Sequence, residues 1–249
     1  MTKNAFTYQE NFKIRASEID SNQKATLPAI CNLLQEIAGN HAQKLHFDIT
    51  DLQENKLTWV LHRLVVKMDR FPDWRETITV KTWPSSGDGL RAYRDFQILD
   101  AEENVIGKSL SYWLMMNIES RRPVRIPQKI LRMAPTDIDH VLPIQDSNFT
   151  QPDNVQTVQK FEVRKTDLDL NQHVNNVRYV EWLLSCLPDE VKAVYINIKF
   201  MAESVFGDTI IARSGTSDDP DLEADYQHQI KRESDQQTVV MAQTKLARP

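Results

Sequence analysis

Residues 166–182, TDLDLNQHVNNVRYVEW, crowd Asp167, Asp169, Asn171, His173, Asn175 and Asn176 into one short stretch ahead of an apolar stripe. Carboxylate, amide and imidazole groups gathered at one place are the parts that take a proton, align a reactant and support developing negative charge. Helix capping and turn formation account for Asn175 and Asn176. They do not account for His173. Glu203 is a second candidate, because it follows the apolar run Val194 to Phe200 and is an ionisable group where a strand should end. The bland readings are a satisfied turn for the first cluster and a solvated strand-end carboxylate for Glu203. Other signals carry less. Gly87, Gly89 and Ala92 satisfy GxGxxA, but strand-like residues flank them, so a hairpin turn explains them better than a phosphate cradle. There is no GxSxG elbow, and His41 and His46 are off a common helix face, so neither a serine-hydrolase triad nor a metal site is expected.

The elements that must position these groups come from an internal repeat. FKIRASEIDSNQ (12–23) overlays FEVRKTDLDLNQ (161–172) with a constant offset of 149, matching Phe12 with Phe161, Arg15 with Arg164, Asp20 with Asp169, Asn22 with Asn171 and Gln23 with Gln172. A second block, VVKMDRFPDWRETI (65–78), overlays NIKFMAESVFGDTI (197–210) at offset 132, so the first copy carries about 17 extra residues after its helix. In this alignment Lys24 stands where the second copy has His173, and Phe71 where it has Glu203. Asp, Asn and His are complete in the second copy only, the pattern of a duplicated domain that keeps one active site.

Each matched block is followed by apolar residues at steps of 3, 4 and 3: Leu27, Ile30, Leu34, Ile37 and then Val177, Val180, Leu184, Leu187. That spacing predicts one amphipathic helix per copy, started at Thr26 and Pro28 in the first and at Asn175 or Asn176 in the second. Downstream the period changes to two at Ile78, Val80, Thr82, then Val194, Ile196, Ile198, Phe200, and again Val240, Ala242, Thr244, Leu246. SSGDG and the acidic SDDPDLEAD read as turns between such strands. The expected class is α+β, a tandem hotdog, each half an antiparallel sheet wrapped around one long helix. The expected boundaries are residues 1–146 for the N-terminal domain, 147–156 for a polar linker and 157–249 for the C-terminal domain with the catalytic groups.

Composition narrows the partners. The 249 residues are 41% hydrophobic and 26% charged, enough for a real core. Only six glycines argue against glycine-rich nucleotide loops, and a net charge of -5 argues against nucleic acid. The two cysteines, Cys31 and Cys186, form no CxxC, the start has no apolar leader, and no stretch is apolar enough to span a membrane. A cytoplasmic protein without cofactor or metal is expected.

DLDLNQHVNNVRYVEW (167–182) resembles the signature of the acyl-acyl-carrier-protein thioesterases, the plant plastid enzymes and their bacterial relatives. TWVLHRLVVKMDRFPDW (58–74), ITVKTWPSSGDGLRAYRDF (78–96) and WLMMNIESRRPVRIP (113–127) are similar to that family's first-domain blocks. The resemblance implies hydrolysis of fatty acyl-carrier-protein thioesters, ending or diverting fatty acid synthesis, with Asp169, Asn171, His173 and Glu203 as catalytic residues. Plant members usually place Cys directly after the Glu, and this chain has Ser204.

Thioester hydrolysis needs a base for water and donors for the carbonyl oxygen. Glu203 or Asp169 would supply the base, Asn171 would align it or the water, and His173 with N–H groups at the helix start would hold the oxyanion. Direct carboxylate attack is the alternative route. The acyl chain is expected in an apolar tunnel lined by residues such as Leu33, Ile37 and Trp59, shaped by the first copy. The carrier is acidic as a class, so Arg121, Arg122, Arg125, Lys129 and Arg132, a run with no acid among residues 121–132, is the expected docking face, with Trp59 as a further contact. A homodimer is an additional expectation. The competing functions are an acyl-CoA thioesterase and a non-catalytic acyl-thioester sensor.

Overall fold

The computed structural model describes residues 6–135, 138–144, 149–216 and 224–247. They fall into two compact units, Met1–Ile144 and Gln145–Pro249.

The first unit runs β1 (Tyr8–Lys13), α1 (Leu27–Lys44), α2 (Ile49–Gln53), β2 (Leu57–Met68), β3 (Thr77–Gly87), β4 (Arg91–Leu99), β5 (Val105–Asn117), β6 (Arg122–Val124) and α3 (Gln128–Leu131). Its strands pair antiparallel in the order β1-β3-β4-β5-β2, with β6 added to β5. Helix α1 forms because Thr26 accepts from the Ala29 N–H at 3.2 Å and Pro28 sits in the first turn. Its stripe Leu27, Ile30, Leu34 and Ile37 is buried against β3 and β1. Leu33 is buried core as well.

The second unit runs β7 (Asn154–Glu162), α4 (Asn176–Leu184), β8 (Ala193–Phe200), β9 (Thr209–Thr216), β10 (Tyr226–Arg232) and β11 (Thr238–Leu246). The antiparallel order is β8-β11-β10-β9-β7, and α4 packs on β9 and β10. Asn175 caps α4 by accepting from the Val177 N–H at 2.9 Å. The stripe differs in detail from the expected one. The helix ends at Leu184, which is half-buried; Leu183 takes the central place, and Leu187 is buried from the turn beyond.

The alternating strand residues Ile78, Val80 and Thr82, and Ile196, Ile198 and Phe200, are buried as their period requires. In β11 both faces are covered, since Val239, Val240, Met241 and Ala242 are all buried. SSGDG is the β3–β4 hairpin, in which Asp88 Oδ1 accepts from the Leu90 and Arg91 N–H groups at 3.0 and 2.7 Å and Gly89 takes φ +87°. Within the expected linker 147–156, residues 147 and 148 lie outside the described residues and β7 already begins at Asn154. Residues 217–223 of the acidic turn are also outside them.

Short elements missing from the sequence reading close one end of the first unit. Helices α2 and α3 and strand β6 help enclose an apolar cluster of Ala42, Phe47, Leu52, Met115, Ile126 and Ile130, with Trp59, Ala92 and Leu131 packed against it. Among the described residues no helix is long and apolar enough to cross a membrane.

Candidate active site

The repeat builds the same corner twice. In each copy an arginine at the end of the first strand clamps the acid three residues on, Arg15 with Glu18 and Arg164 with Asp167, through both side chain and backbone N–H. The chain then turns through an aspartate. Asp20 Oδ1 accepts from the N–H groups of Asn22 and Lys24 at 2.9 and 3.1 Å, and Asp169 Oδ1 accepts from those of Asn171 and His173 at 2.8 and 3.3 Å. Gln23 and Gln172 take left-handed φ values of 59° and 61° at the same step. A returning loop is fastened alike, by Ala25 N–H to Pro72 O and by Val174 N–H to Ser204 O, both 2.9 Å.

The side chains on this shared frame differ. Lys24 Nζ lies 2.6 Å from Asp73, an exposed ion pair, and Phe71 is buried. In the second copy His173 Nε2 lies 3.4 Å from Glu203 Oε2, with side chains 24% and 36% exposed. The structure therefore brings together His173 and Glu203, thirty residues apart in sequence, and leaves both reachable by a ligand. Arg232 holds the Glu203 loop by donating from Nη1 to the Glu203 carbonyl at 2.7 Å while pairing with Asp235.

Asp169 and Asn171 belong to the turn that carries His173. Asp169 is engaged by the turn, as Asp20 is, and Asn171 presents its side chain to solvent at the turn's tip. The expected helix-terminal donors are largely committed: Val177 N–H goes to the Asn175 side chain and Arg178 N–H to the Asn175 carbonyl. Ser204 is 0% exposed and faces the buried Tyr179 hydroxyl, whose pKa burial pushes up to about 12; neither group completes a well-formed hydrogen bond. A hydroxyl so enclosed has no access to substrate.

The other sequence-selected groups lie in the first unit. Arg121, Arg122, Arg125, Lys129 and Arg132 are all exposed, across β6, its flanking turns and α3. Trp59 donates from Nε1 to the Phe47 carbonyl at 3.0 Å and stands edge-on to the Phe47 ring over the apolar cluster. Among the described residues no group of three His, Cys, Asp or Glu side chains converges as a metal site would require.

Two antiparallel units, each with its own helix and one with an imidazole–carboxylate corner, define a tandem hotdog protein. The acyl-ACP thioesterase N-terminal domain matches residues 5–134 and the C-terminal domain matches residues 150–247, so the chain belongs to the acyl-ACP thioesterase family. It is similar to the acyl-ACP thioesterase of Bacteroides thetaiotaomicron, with a TM-score of 0.88 and 26% identity over 99% of this chain and 100% of that one. The 12:0-ACP thioesterase of Umbellularia californica shares the fold, with a TM-score of 0.80 and 24% identity over 97% of both chains. In sequence this chain is 33% identical to the chloroplastic oleoyl-acyl carrier protein thioesterase of Coriandrum sativum, over 77% of its own length. The match spans 56% of that longer protein, and 57% of a second oleoyl relative from Arabidopsis thaliana.

Proposed function

We propose that this protein hydrolyses the thioester of a fatty acyl-acyl-carrier protein to a free fatty acid and the carrier thiol. The observation that carries the reading is the half-buried His173–Glu203 pair at 3.4 Å, present in one copy of a frame that the other copy builds without it. Family membership supports this substrate class.

Glu203 takes a proton from water as the water oxygen bonds to the acyl carbonyl carbon. The imidazole of His173 donates to the carbonyl oxygen as it becomes negative, a role strengthened by the commitment of the Val177 and Arg178 N–H groups to the helix cap. Collapse of the tetrahedral adduct expels the thiolate, which needs little assistance. Asn171 offers an exposed amide to the water or the substrate, and Asp169 positions both Asn171 and His173 by holding their backbone N–H groups. The apolar cluster of the first unit, where Trp59 is fixed by its hydrogen bond to Phe47, has the chemistry that an acyl chain requires. The exposed run Arg121, Arg122, Arg125, Lys129 and Arg132 suits an acidic carrier. A cytoplasmic setting agrees with Cys31 and Cys186, both free and buried.

Purified protein incubated with matched acyl-carrier-protein and acyl-CoA thioesters should release thiol faster from the carrier series. Release from CoA esters alone would transfer the activity to acyl-CoA, and release from neither would leave a binding protein. Reversing Arg122 and Arg125 to Glu should raise KM for the carrier substrate about tenfold, with kcat on a small acyl thioester nearly intact. An equal loss on both substrates would make the arginines structural.

A further inference from the structure

The sequence offers no serine elbow, yet the first unit assembles three groups that hydrolases use together. His140 Nδ1 lies 2.7 Å from Asp95 Oδ2, and His140 Nε2 lies 3.0 Å from Ser86 Oγ. We propose that Ser86, His140 and Asp95 form a second, serine-based acyl-transfer site, independent of the Glu203 corner, that takes activated acyl esters or thioesters.

The direction of the relay follows from the hydrogen bonds that Asp95 accepts. Asp95 is 0% exposed, on β4, and its other oxygen accepts from the Val141 N–H at 2.9 Å. With Asp95 Oδ1 accepting from Val141 N–H and Oδ2 accepting the hydrogen on His140 Nδ1, the Nε2 lone pair faces the Ser86 hydroxyl. That is the tautomer a general base requires. The ring is held on a second side by Tyr93, edge-on at 5.9 Å. Asp95 touches no reactant and is a positioning residue.

Ser86 is presented by a backbone irregularity. The β3–β4 register pairs Ser85 with Tyr93 and Gly87 with Ala92, which leaves Ser86 as the extra, exposed residue of a bulge. Gly87 makes this turn feasible, since a Cβ there would lie 2.5 Å from the Arg91 carbonyl and 2.7 Å from Leu131 Cδ2. The same contact puts the apolar Leu131 beside the serine's neighbour, and Leu90 of the hairpin and Ile138 before His140 are exposed apolar groups near the relay in sequence. The Arg125 guanidinium lies over Gly89 and adds a positive charge to the hairpin.

In the reaction Ser86 Oγ bonds to the acyl carbonyl carbon as its proton passes to His140 Nε2, and the carbonyl electron pair moves to oxygen. On collapse the bond to the alkoxide or thiolate breaks and His140 returns the proton to the leaving group, which leaves Ser86 acylated. Water, deprotonated by the same imidazole, then releases the acid and restores the hydroxyl.

The test is a fluorophosphonate probe on the full chain, with the adduct mapped by peptide mass. The folded protein should carry it on Ser86. Labelling should vanish in Ser86→Ala and in urea, fall about 10²-fold or more in His140→Gln, and persist in Glu203→Gln, whose thioesterase activity is lost for a different reason. No adduct on Ser86 under conditions that label chymotrypsin would overturn the proposal, as would undiminished labelling of a folded His140→Gln. Should His140→Gln fail to melt cooperatively, the wild-type adduct map decides alone.

Discussion

The corner of the N-terminal half and the corner of the C-terminal half have one backbone and two chemistries. Both use an arginine–acid clamp, an aspartate-held turn and a loop fastened by a 2.9 Å hydrogen bond. Where the first has Lys24 paired outward with Asp73 and Phe71 turned in, the second has His173 against Glu203. A lysine ammonium keeps its proton at neutral pH and so fixes a loop; an imidazole exchanges its proton in that range. Moving the acid two positions along the loop, from the place of Asp73 to that of Phe71, turns an external tie into a pair that shares a half-buried site. The two corners differ in their side chains and share their backbone frame.

The largest free-energy change should come from acid, and it should strike both halves alike. His41, stacked on Tyr8 and 2.9 Å from the Arg94 guanidinium, and His228, between the Ser214 and Thr244 hydroxyls, are buried. Burial lowers both imidazoles to about 3, with the Arg94 charge adding to the effect at His41. Below the ordinary value of 6.5 the unfolded chain takes protons that the folded chain refuses. Stability is therefore full above that pH and falls as pH drops towards 3, by an amount on the order of 5 kcal/mol per ring at the limit. Urea melts between pH 7 and 5.5, above the carboxylate range, should show the onset of this loss, and His228→Gln should remove about half of it. A flat wild-type profile would mean that neither ring is held neutral.

The next effect separates the corners. Glu203→Gln and His173→Ala should each lower kcat on an acyl-carrier-protein substrate by about 10²-fold or more with little change in melting, because both groups are half-exposed. Lys24→Ala, at the equivalent place, should leave kcat within about twofold and cost at most about 1 kcal/mol of stability, the range of exposed ion pairs. Comparable loss of turnover from Lys24→Ala would break the assignment of one corner to structure and the other to catalysis.

A smaller effect tests Asp169 against Asp20. Asparagine keeps the side-chain oxygen that both turns use, so Asp20→Asn and Asp169→Asn should each cost about 1 kcal/mol or less, and Asp169→Asn should hold kcat within about tenfold. A 10²-fold fall confined to Asp169→Asn would transfer the base from Glu203 to Asp169.

The repeat made much of this legible. Offsets of 149 and 132 placed Lys24 on His173 and Phe71 on Glu203, and the matching hydrogen bonds from Ala25 to Pro72 and from Val174 to Ser204 join the same positions in space. Helix starts at Thr26 and Asn175 were readable because capping is local. Helices α2 and α3 were not, since five and four residues hold too little of a 3.6-residue period to see. Asp169 shows a different limit. Its residue type suits a base and a turn equally, and only the paired geometry of Asp20 reveals the turn. Ser86, His140 and Asp95 lie across 54 residues with no motif, and such a set is recognised by geometry alone.

The smallest effect should come from Ser204, the residue directly after Glu203. A nucleophile there would need access to the acyl carbon and a base within reach. Ser204 is fully buried, faces Tyr179, and serves the site through its carbonyl, which accepts from the Val174 N–H and so holds the Glu203 loop to the His173 turn. That bond belongs to the backbone and survives any side-chain change. Ser204→Ala also removes a buried hydroxyl that lacks a well-formed partner, so stability should hold or rise slightly. Its kcat should stay within about tenfold of wild type, and the matched Pro72 of the first corner makes the same point, since it has no hydroxyl and accepts the same bond from Ala25. A folded but inactive Ser204→Ala, alongside an active Glu203→Gln, would reverse the mechanism in favour of an acyl-serine and would require the loop to open around Tyr179 before substrate could enter.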